Sequence, residues 1–392
     1  MKHAIVSVLM LCCLSLSAQY RQLSYQAEIS ILTVGPGANF YDCFGHSAFR
    51  IKDPAQNIDL AYNYGMFNTE EPGFYWRFSL GTQDYYLAAY DYRRFLGSYQ
   101  RQNRWIKEQV LNLERDEIQQ IFEFLENNRK PENRAYRYDP YFDNCATRMR
   151  DLVVDALGNK IEFNNDHLPM GMSLRGLTDE NSFNFPWWDF GVDIALGTVI
   201  DGHATPEEFM FLPDYIFLAY ENATIDRGGQ KVPAVKSSEL VFASDYYEQR
   251  KEFIMPWMIF AVVAVVIVIF TYLDYLKKRR SRWIDFLLML LTGLSGVMIV
   301  FLWFFTSHAI TPNNLNIFWG FLPNLVVAFY LLKKEPPAWV RVYMRFLVIL
   351  LLLMLCIWLL KIQVFATAMI PFMLMLGIRY GYLWMVALKP SR

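Results

Sequence analysis

The sequence has almost no net charge, few histidines and few cysteines. Its formal net charge is −1 over 392 residues, so no strong electrostatic attraction to nucleic acid is expected. Five histidines and five cysteines are spread along the chain, and no two potential ligands show the spacing of a zinc site. No repeat or low-complexity tract is visible. We therefore expect no metal, no cofactor and no nucleic-acid partner.

The N-terminus has the pattern of a secretory signal peptide. A positively charged start is followed by the apolar run 4–16 and by the small residues Ser17 and Ala18. This order is typical of a cleaved signal, and the run is too short to span a bilayer comfortably as an uncleaved anchor. Residues 1–18 are thus predicted to be removed from an exported protein.

Removal of this segment leaves three cysteines. Cys356 lies in an apolar stretch and is expected to be inert. Cys43 and Cys145 belong to the exported part, where an oxidising compartment allows a disulfide between them. The alternatives for Cys145 are a free reactive thiol or a core residue without a chemical role.

Long apolar runs fill the chain after the exported part. Each is close to the roughly 20 residues that a membrane-spanning helix needs. Residues 254–388 are therefore predicted to form an all-α transmembrane domain of five helices. The five segments are Pro256–Leu276, 283–305, 315–332, 342–360 and 364–388.

Basic residues are unevenly distributed among the connecting loops. Loops 277–282 and 333–341 are rich in Lys and Arg, loop 307–314 has neither, and the fourth loop has only Lys361. Because basic loops stay cytoplasmic, the first and third loops and the C-terminus are predicted inside and the N-terminal domain outside. The outer loop around His308 also carries Asn313, Asn314 and Asn316, which serve a substrate or headgroup or are ordinary interfacial residues.

Residues 19–247 are predicted to form one α+β domain with a small antiparallel sheet. The patterns that support this are short apolar segments bounded by turn residues and longer segments with helical spacing. A proline at position 213 is expected to break the last helix in two. The predicted strands are 25–34, 47–52 and 58–64, and the predicted helices are 114–127, Cys145–Leu157 and 205–223.

Two short motifs in this domain suit thiol chemistry. Cys145 begins a predicted helix, with Asp143 or Asn144 as its N-cap, and the helix dipole favours a thiolate there. His46 follows a glycine at the start of a strand and would lower the pKa of the thiol and move its proton. The thiolate would act as nucleophile, and free N–H groups at the helix start would hold an oxyanion.

Two further residues are candidates for the site. A polar group usually orients a catalytic histidine, and the neighbouring strand offers Tyr62, Asn63 and Tyr64, of which we choose Asn63. Asn144 would either contribute to the oxyanion hole or cap the helix, and capping is favoured.

At these motifs the chain resembles the Lnb N-terminal periplasmic domain family. The stretches that carry the resemblance are YDCFGHSAFR at 41–50, YNYGMF at 62–67 and DNCATRMRD at 143–151, and FLPD at 211–214 looks like another mark of the family. The C-terminal part, with His308, Asn314 and Asn316, looks like the transmembrane domain that accompanies it.

The resemblance implies a lipoprotein N-acyltransferase in the bacterial inner membrane. Its exported domain would have a permuted papain-like (NlpC/P60-type) core, with Cys145 as nucleophile and His46 as base. The implied partners are a phospholipid acyl donor and a diacylated lipoprotein acceptor. Cys43 stands where the family more often has another residue, so it receives no role and a Cys43–Cys145 disulfide stays open.

Two other functions remain possible at this point. A papain-like fold also supports a membrane-anchored cysteine peptidase or amidase that acts on cell-wall peptides, since fold does not fix function. A non-catalytic membrane scaffold, with Cys145 in its core, is the third interpretation. A thioester on Cys145 would separate the first function from the other two.

Overall fold

The computed structural model describes residues 20–244 and 254–388. The predicted signal peptide, 1–18, lies outside the described residues. The first range is an α+β domain and the second is helical.

An antiparallel sheet forms the centre of the N-terminal domain. Its strands are β1 (Glu28–Val34), β2 (His46–Asp53), β3 (Ile58–Met66), β4 (Asp84–Asp91), β5 (Ile106–Leu111), β6 (Ala135–Arg137) and β10 (Val235–Phe242), and the short strands β7 (Ile161–Glu162), β8 (Thr224–Asp226) and β9 (Lys231–Pro233) pair separately. In the described range, seven strands pair in the order β10-β5-β1-β2-β3-β4-β6. The sheet is thus larger than the sequence indicates.

Helices cover both faces of this sheet. They are α1 (Phe74–Ser79), α2 (Tyr92–Arg101), α3 (Arg115–Asn128), α4 (Cys145–Leu157), α5 (Leu174–Ser182), α6 (Pro186–Ala195), α7 (Pro206–Phe209) and α8 (Pro213–Asn222). The helices α3, α4 and α8 pack on one face, where Ile31 is buried, and α2 packs on the other, where Leu32 is buried. Because successive strand residues point to opposite faces and both faces are covered, β1 is buried almost throughout. Pro213 begins α8, as the predicted break requires.

The register of the central strands places His46 at one end of the sheet. His46 pairs with Val34 at the end of β1. On its other side, β2 pairs with β3 only from Phe49 onward, so His46 lies outside that pairing. Gly45 directly precedes β2 and has a φ of +80°. A Cβ at this position would lie 2.7 Å from the carbonyl oxygen of Val34. Only glycine fits this turn without strain, which fixes where β2 begins.

The C-terminal region contains helices α9 (Pro256–Leu276), α10 (Arg282–Phe304), α11 (Asn324–Leu331), α12 (Ala338–Leu359) and α13 (Ile370–Tyr382), the last continued by a π-helical turn, Leu383–Ala387. Four helices of the described residues are long and apolar enough to cross a membrane. The predicted third spanning helix, 315–332, is wrong as a continuous helix. It is a 3₁₀ turn, Leu315–Phe318, followed by the eight-residue α11.

Close backbone packing explains this break. A Cβ on Gly296 of α10 would lie 2.3 Å from the backbone nitrogen of Leu322 and 2.5 Å from the carbonyl oxygen of Gly320. The segment between the turn and α11 therefore lies directly against α10, in the manner of small-residue contacts between membrane helices. Pro323, which has no N–H, immediately precedes α11.

The loops between the membrane helices fall into two groups. Arg282 donates to the carbonyl oxygen of Leu332 at 3.1 Å, so the two basic loops meet at one end of the helices. At the other end, the N–H of Ser307 donates to the carbonyl oxygen of Leu80 at 2.8 Å, and His308 donates to that of Ser79 at 3.3 Å. The N-terminal domain thus lies on the side opposite the basic loops.

Buried asparagines of the outer loop hold this domain. Asn314 donates to the carbonyl oxygen of Ile194 at 2.7 Å, and Asn316 to that of Asp193 at 3.0 Å. Both carbonyls lie in the last turn of α6, where helix carbonyls lack an internal partner. These contacts form a domain interface, which differs from both expected alternatives, a substrate or headgroup contact and an ordinary loop at the membrane surface. Gly197 completes it, because a Cβ there would lie 1.7 Å from the carbonyl oxygen of Pro312.

Candidate active site

Cys145 is the first residue of α4, and Asn144 is its N-cap. The side-chain Oδ1 of Asn144 accepts from the N–H groups of Ala146 at 2.8 Å and Thr147 at 2.9 Å. Its Nδ2 donates to the carbonyl oxygens of Pro140 at 2.7 Å and Phe211 at 2.8 Å. Both amide protons are thus engaged, so the geometry favours the capping role over donation to an oxyanion.

His46 lies beside Cys145, and its ring is held from two sides. Its Nε2 donates to Oδ1 of Asn63, which lies on the neighbouring strand β3, and the two atoms are 2.9 Å apart. The ring also stacks on Tyr99 of α2, with 6.1 Å between the ring centroids. These contacts leave Nδ1 for the thiol of Cys145, with which the ring is close enough to hydrogen-bond. The structure thus brings together three of the four predicted site residues around one sulfur atom, with Asn144 directly behind it.

Electrostatics favours an ion pair between these two side chains. Burial raises the pKa of the Cys145 thiol, but the charge and hydrogen bond of His46, with backbone N–H groups of Ser47 and Cys145, bring the pKa below its ordinary value. Burial, and to a smaller extent Arg104, lower the pKa of His46, but the thiolate and the hydrogen bonds to Cys145 and Asn63 raise it overall. Both directions favour a thiolate beside an imidazolium.

Two tyrosines complete the surroundings of the thiol. A Cβ on Gly65, where φ is +84°, would lie 3.5 Å from Cε2 of Tyr138, 4.0 Å from Cβ of Cys145 and 4.0 Å from Oη of Tyr136. The Tyr136 hydroxyl is buried and has no hydrogen-bond partner in the described part of the chain. Burial raises the pKa of Tyr136, so this hydroxyl remains a donor. The sequence signal for both is their alternation directly before the cysteine motif.

Cys43 differs from Cys145 in the direction in which its surroundings shift the thiol pKa. Both are buried free thiols in the structure, so the possible disulfide between them is not formed here. Burial raises the pKa of Cys43 to about 12, and the negative charge of Asp42 adds to this. Cys43 therefore stays protonated at neutral pH. Cys356 is exposed on α12, among the apolar side chains of the membrane helices.

One acidic cluster lies outside the thiol site. Single carboxylate oxygens of Asp179, Asp189 and Asp193 lie within 4.8 Å of one another. Burial, with mutual repulsion, raises the pKa of Asp179 to about 7 and that of Asp193 to about 6. Arg175 pairs with Asp193 at 2.8 Å, and Ser182 donates to Asp189. These partners, and the position of Asp193 at the domain interface, give the cluster a structural explanation.

An open cleft of the N-terminal domain is also remote from the thiol. It has a volume of about 510 Å³ and lies where the N-terminal segment passes β5 and α3, with Leu23, Tyr25 and Arg115 among its lining residues. None of the predicted site residues lines it. The chemistry therefore has to be sought at the buried thiol and not in this cleft.

Comparison with protein families gives two matches. Residues 18–179 match the Lnb N-terminal periplasmic domain, and residues 248–391 match the Lnb transmembrane domain. The first match contains His46, Asn63 and Cys145. Comparison with curated proteins gave no match, and comparison with solved structures gave none either.

Proposed function

The chain belongs to the Lnb family and is a membrane protein with a periplasmic domain, and from this premise we propose that it is a lipoprotein N-acyltransferase. It moves an acyl chain from a phospholipid to the α-amino group of a diacylated N-terminal cysteine through a thioester on Cys145. The observation that carries the proposal is the arrangement of Cys145, His46 and Asn63 at the start of α4.

The first half-reaction makes the thioester. The Cys145 thiolate attacks the carbonyl carbon of a phospholipid ester and forms a tetrahedral oxyanion. Collapse of this intermediate breaks the bond to the glycerol oxygen, and His46 gives its proton to that oxygen. The products are acyl-Cys145, a neutral His46 and a lysophospholipid.

The second half-reaction transfers the chain to nitrogen. The neutral α-amino group of the lipoprotein attacks the thioester carbonyl, and His46 takes up the proton that the amine loses. The C–S bond then breaks, and the thiolate–imidazolium pair is restored. Low basicity of the thiolate makes it a good leaving group, which the lowered pKa of Cys145 supports.

The membrane domain supports a substrate that is itself in the membrane. The catalytic domain is fixed by buried hydrogen bonds to the outer loops, so it stays where phospholipid and lipoprotein both lie. The alternative function, a peptidase or amidase that acts on the cell wall, does not require the catalytic domain to be attached to membrane helices. We further propose the division into a signal peptide (1–18), a catalytic domain (19–247) and a transmembrane domain (254–388), in the inner membrane with the C-terminus in the cytoplasm.

The order of the catalytic elements supports the permuted papain-like interpretation. The strand that carries His46 precedes the helix that carries Cys145. A circular permutation of a fold with an N-terminal cysteine helix would give this order. The antiparallel sheet behind both residues is the layer on which such a helix packs.

Mass spectrometry of the purified protein in phospholipid nanodiscs tests the function. We expect a hydroxylamine-sensitive acyl adduct on Cys145, and conversion of a diacylated lipopeptide to the triacylated form with ping-pong kinetics. Cys145→Ser should lower this conversion about a thousandfold or more. The matched control is Cys43→Ser, which removes the other buried thiol of the same domain and should leave the reaction intact.

Two results would overturn the proposal. One is N-acylation by Cys145→Ser at the wild-type rate. The other is a wild-type protein that cleaves a cell-wall peptide and leaves the lipopeptide unchanged, which would establish the amidase function.

A further inference from the structure

A chain of aromatic rings begins beside the nucleophile. Tyr138 lies against Gly65 next to Cys145. Tyr85 stacks on Tyr138, with 4.4 Å between the ring centroids, and the centroid of Phe67 is 5.3 Å from that of Tyr85. These rings come from three separate elements, so the sequence gives no sign that they are continuous.

The ring contacts continue onto α1, which lies beside the membrane helices. Phe67 stacks on Phe74 of α1 at 5.7 Å, and Phe74 stacks on Phe78 one turn later at 6.1 Å. Trp76, also on α1, lies 6.4 Å from Phe301 near the outer end of α10. We call Tyr138, Tyr85, Phe67, Phe74, Phe78 and Trp76 the aromatic track.

The outer half of the aromatic track is unusually exposed. Phe67, Trp76 and Phe78 are 44%, 63% and 52% exposed, and the adjacent Tyr75 is 72% exposed. Exposed apolar side chains grouped on one short helix indicate an interaction surface, and aromatic rings are typical of the level at which a membrane meets water. The one charged side chain of α1, Arg77, is turned to Glu71 and Gln83.

Because α1 is held at the membrane surface, we expect a ligand that binds to α1 to come from the membrane. The loop that follows α10 donates to the carbonyl oxygen of Leu80, and His308 of that loop donates to the carbonyl oxygen of Ser79. The exposed rings of α1 are thus held at the outer end of a spanning helix. A molecule on this surface is continuous with the outer leaflet, and the buried rings of Phe74 and Tyr85 connect the surface to Tyr138 near Cys145.

We propose that the aromatic track binds the acyl chain of the phospholipid donor and leads its ester to Cys145. The inference rests on the proposed function, because it assigns the donor subsite of that reaction. An acyl chain needs apolar surface and no hydrogen bonds, which is what stacked rings supply. A peptide would need partners for its backbone N–H and carbonyl groups.

The test compares two acyl donors in the half-reaction that precedes the lipoprotein. The rate of Cys145 thioester formation is measured with a long-chain phospholipid in nanodiscs and with soluble p-nitrophenyl acetate, in the full chain. Omission of lipoprotein separates donor binding from acceptor binding. Phe67→Ser and Phe78→Ser should each slow acylation by the phospholipid about tenfold or more, and change acylation by the acetate less than twofold.

Two control variants define the effect. Phe124→Ser alters a phenylalanine of α3 that is 45% exposed, like Phe67, and has no ring contact with the aromatic track; it should match wild type with both donors. Phe67→Leu keeps an apolar side chain and should recover most of the phospholipid rate.

Each outcome has one meaning. If wild type forms no thioester with the phospholipid, the proposed function fails. If wild type does so and both serine variants match Phe124→Ser, the proposed function stands and the aromatic track is overturned. An equal loss with both donors overturns it as well, because damage to the dyad would then explain the effect.

Discussion

Asn63 accepts a hydrogen bond from Nε2 of His46, with 2.9 Å between the nitrogen and Oδ1. An amide oxygen only accepts, so the proton of the neutral imidazole is held on Nε2 and the lone pair on Nδ1. Nδ1 is the nitrogen left for the thiol of Cys145. One neutral side chain therefore sets both the orientation of the base and the atom that receives the proton.

Asn63→Ala should weaken the reaction without unfolding the domain. The ring of His46 would keep its stacking on Tyr99 but lose its fixed tautomer, so we expect kcat for acyl transfer to fall about tenfold or more. Asn63→Asp keeps an acceptor and adds a charge that raises the pKa of His46. It should retain more activity, with the alkaline limb of its pH profile moved to higher pH. Equal losses in both variants, with unchanged profiles, would contradict this positioning role.

The pH dependence of thiol alkylation reports the state of Cys145. A thiolate forms as pH rises through the thiol pKa, and that pKa lies below its ordinary value because of His46. The rate of reaction with iodoacetamide should therefore reach its plateau at a lower pH than for a free cysteine. His46→Ala leaves only burial and N–H groups, so its midpoint should move to higher pH.

Cys43 provides the internal control for that measurement. Burial raises its pKa to about 12, so Cys145→Ser protein should show no alkylation in the periplasmic domain at neutral pH. Rapid labelling of Cys43 there would contradict its raised pKa, and a His46→Ala midpoint equal to that of wild type would contradict the ion pair.

Tyr136→Phe should separate catalysis from stability. The variant removes a buried hydroxyl that has no partner among the described residues, so it should not lower the melting temperature. We expect this buried donor near Cys145 to stabilise the oxyanion, and its loss to lower kcat about tenfold to a hundredfold. The matched variant is Tyr64→Phe, which loses a 2.7 Å bond to Asn128 and should cost stability but little activity. Normal kcat in Tyr136→Phe would exclude the hydroxyl from the reaction.

Asn144→Ala should destabilise the domain through α4. It removes the cap from the N–H groups of Ala146 and Thr147, an effect of about 1–2 kcal/mol. Asn144→Asp keeps this acceptor, so it should be less destabilising even though it no longer donates to Phe211. Thermal unfolding of the solubilised proteins measures the difference. Identical melting temperatures for both variants and wild type would contradict the capping role.

Membrane orientation is tested by impermeant maleimide labelling of intact cells. In a Cys145→Ser background, a cysteine at the exposed Ala309 should be labelled from outside, and one at the exposed Lys277 only after the cells are broken. This follows from the excess of Lys and Arg in loop 277–282. The reverse pattern would place the N-terminal domain in the cytoplasm.

Local signals in the sequence locate the elements of the site well. The cap at Asn144, the cysteine that follows it and the glycine before His46 are short-range features, and each lies where the structure has the start of an element. The choice of Asn63 depends only on strand alternation beside β2. Tyr99 reaches the same site from an element far away in the chain, so no local pattern identifies it, and Tyr136 is marked only by its alternation with Tyr138 before the cysteine motif.

The third membrane segment shows where hydropathy is insufficient. Residues 315–332 are apolar enough for a spanning helix, but hydropathy measures composition and not packing. Gly293 and Gly296 of α10 let the backbone near Leu322 approach closely, and this contact replaces helical hydrogen bonds with a turn. Likewise, Asn314 and Asn316 give the same polar signal whether they bind a ligand or a helix end.

Those two asparagines give the molecule a fixed geometry relative to the bilayer. They bind the last turn of α6 directly and are fully buried, with no flexible linker in that contact. The sulfur of Cys145 therefore keeps one distance from the outer ends of the membrane helices. An amine next to its own lipid anchor stands at a constant depth, whereas a lysine several residues along a peptide does not. Under the proposed function, we therefore expect the α-amino group to be selected by its height above the membrane, before any side chain of the acceptor is recognised.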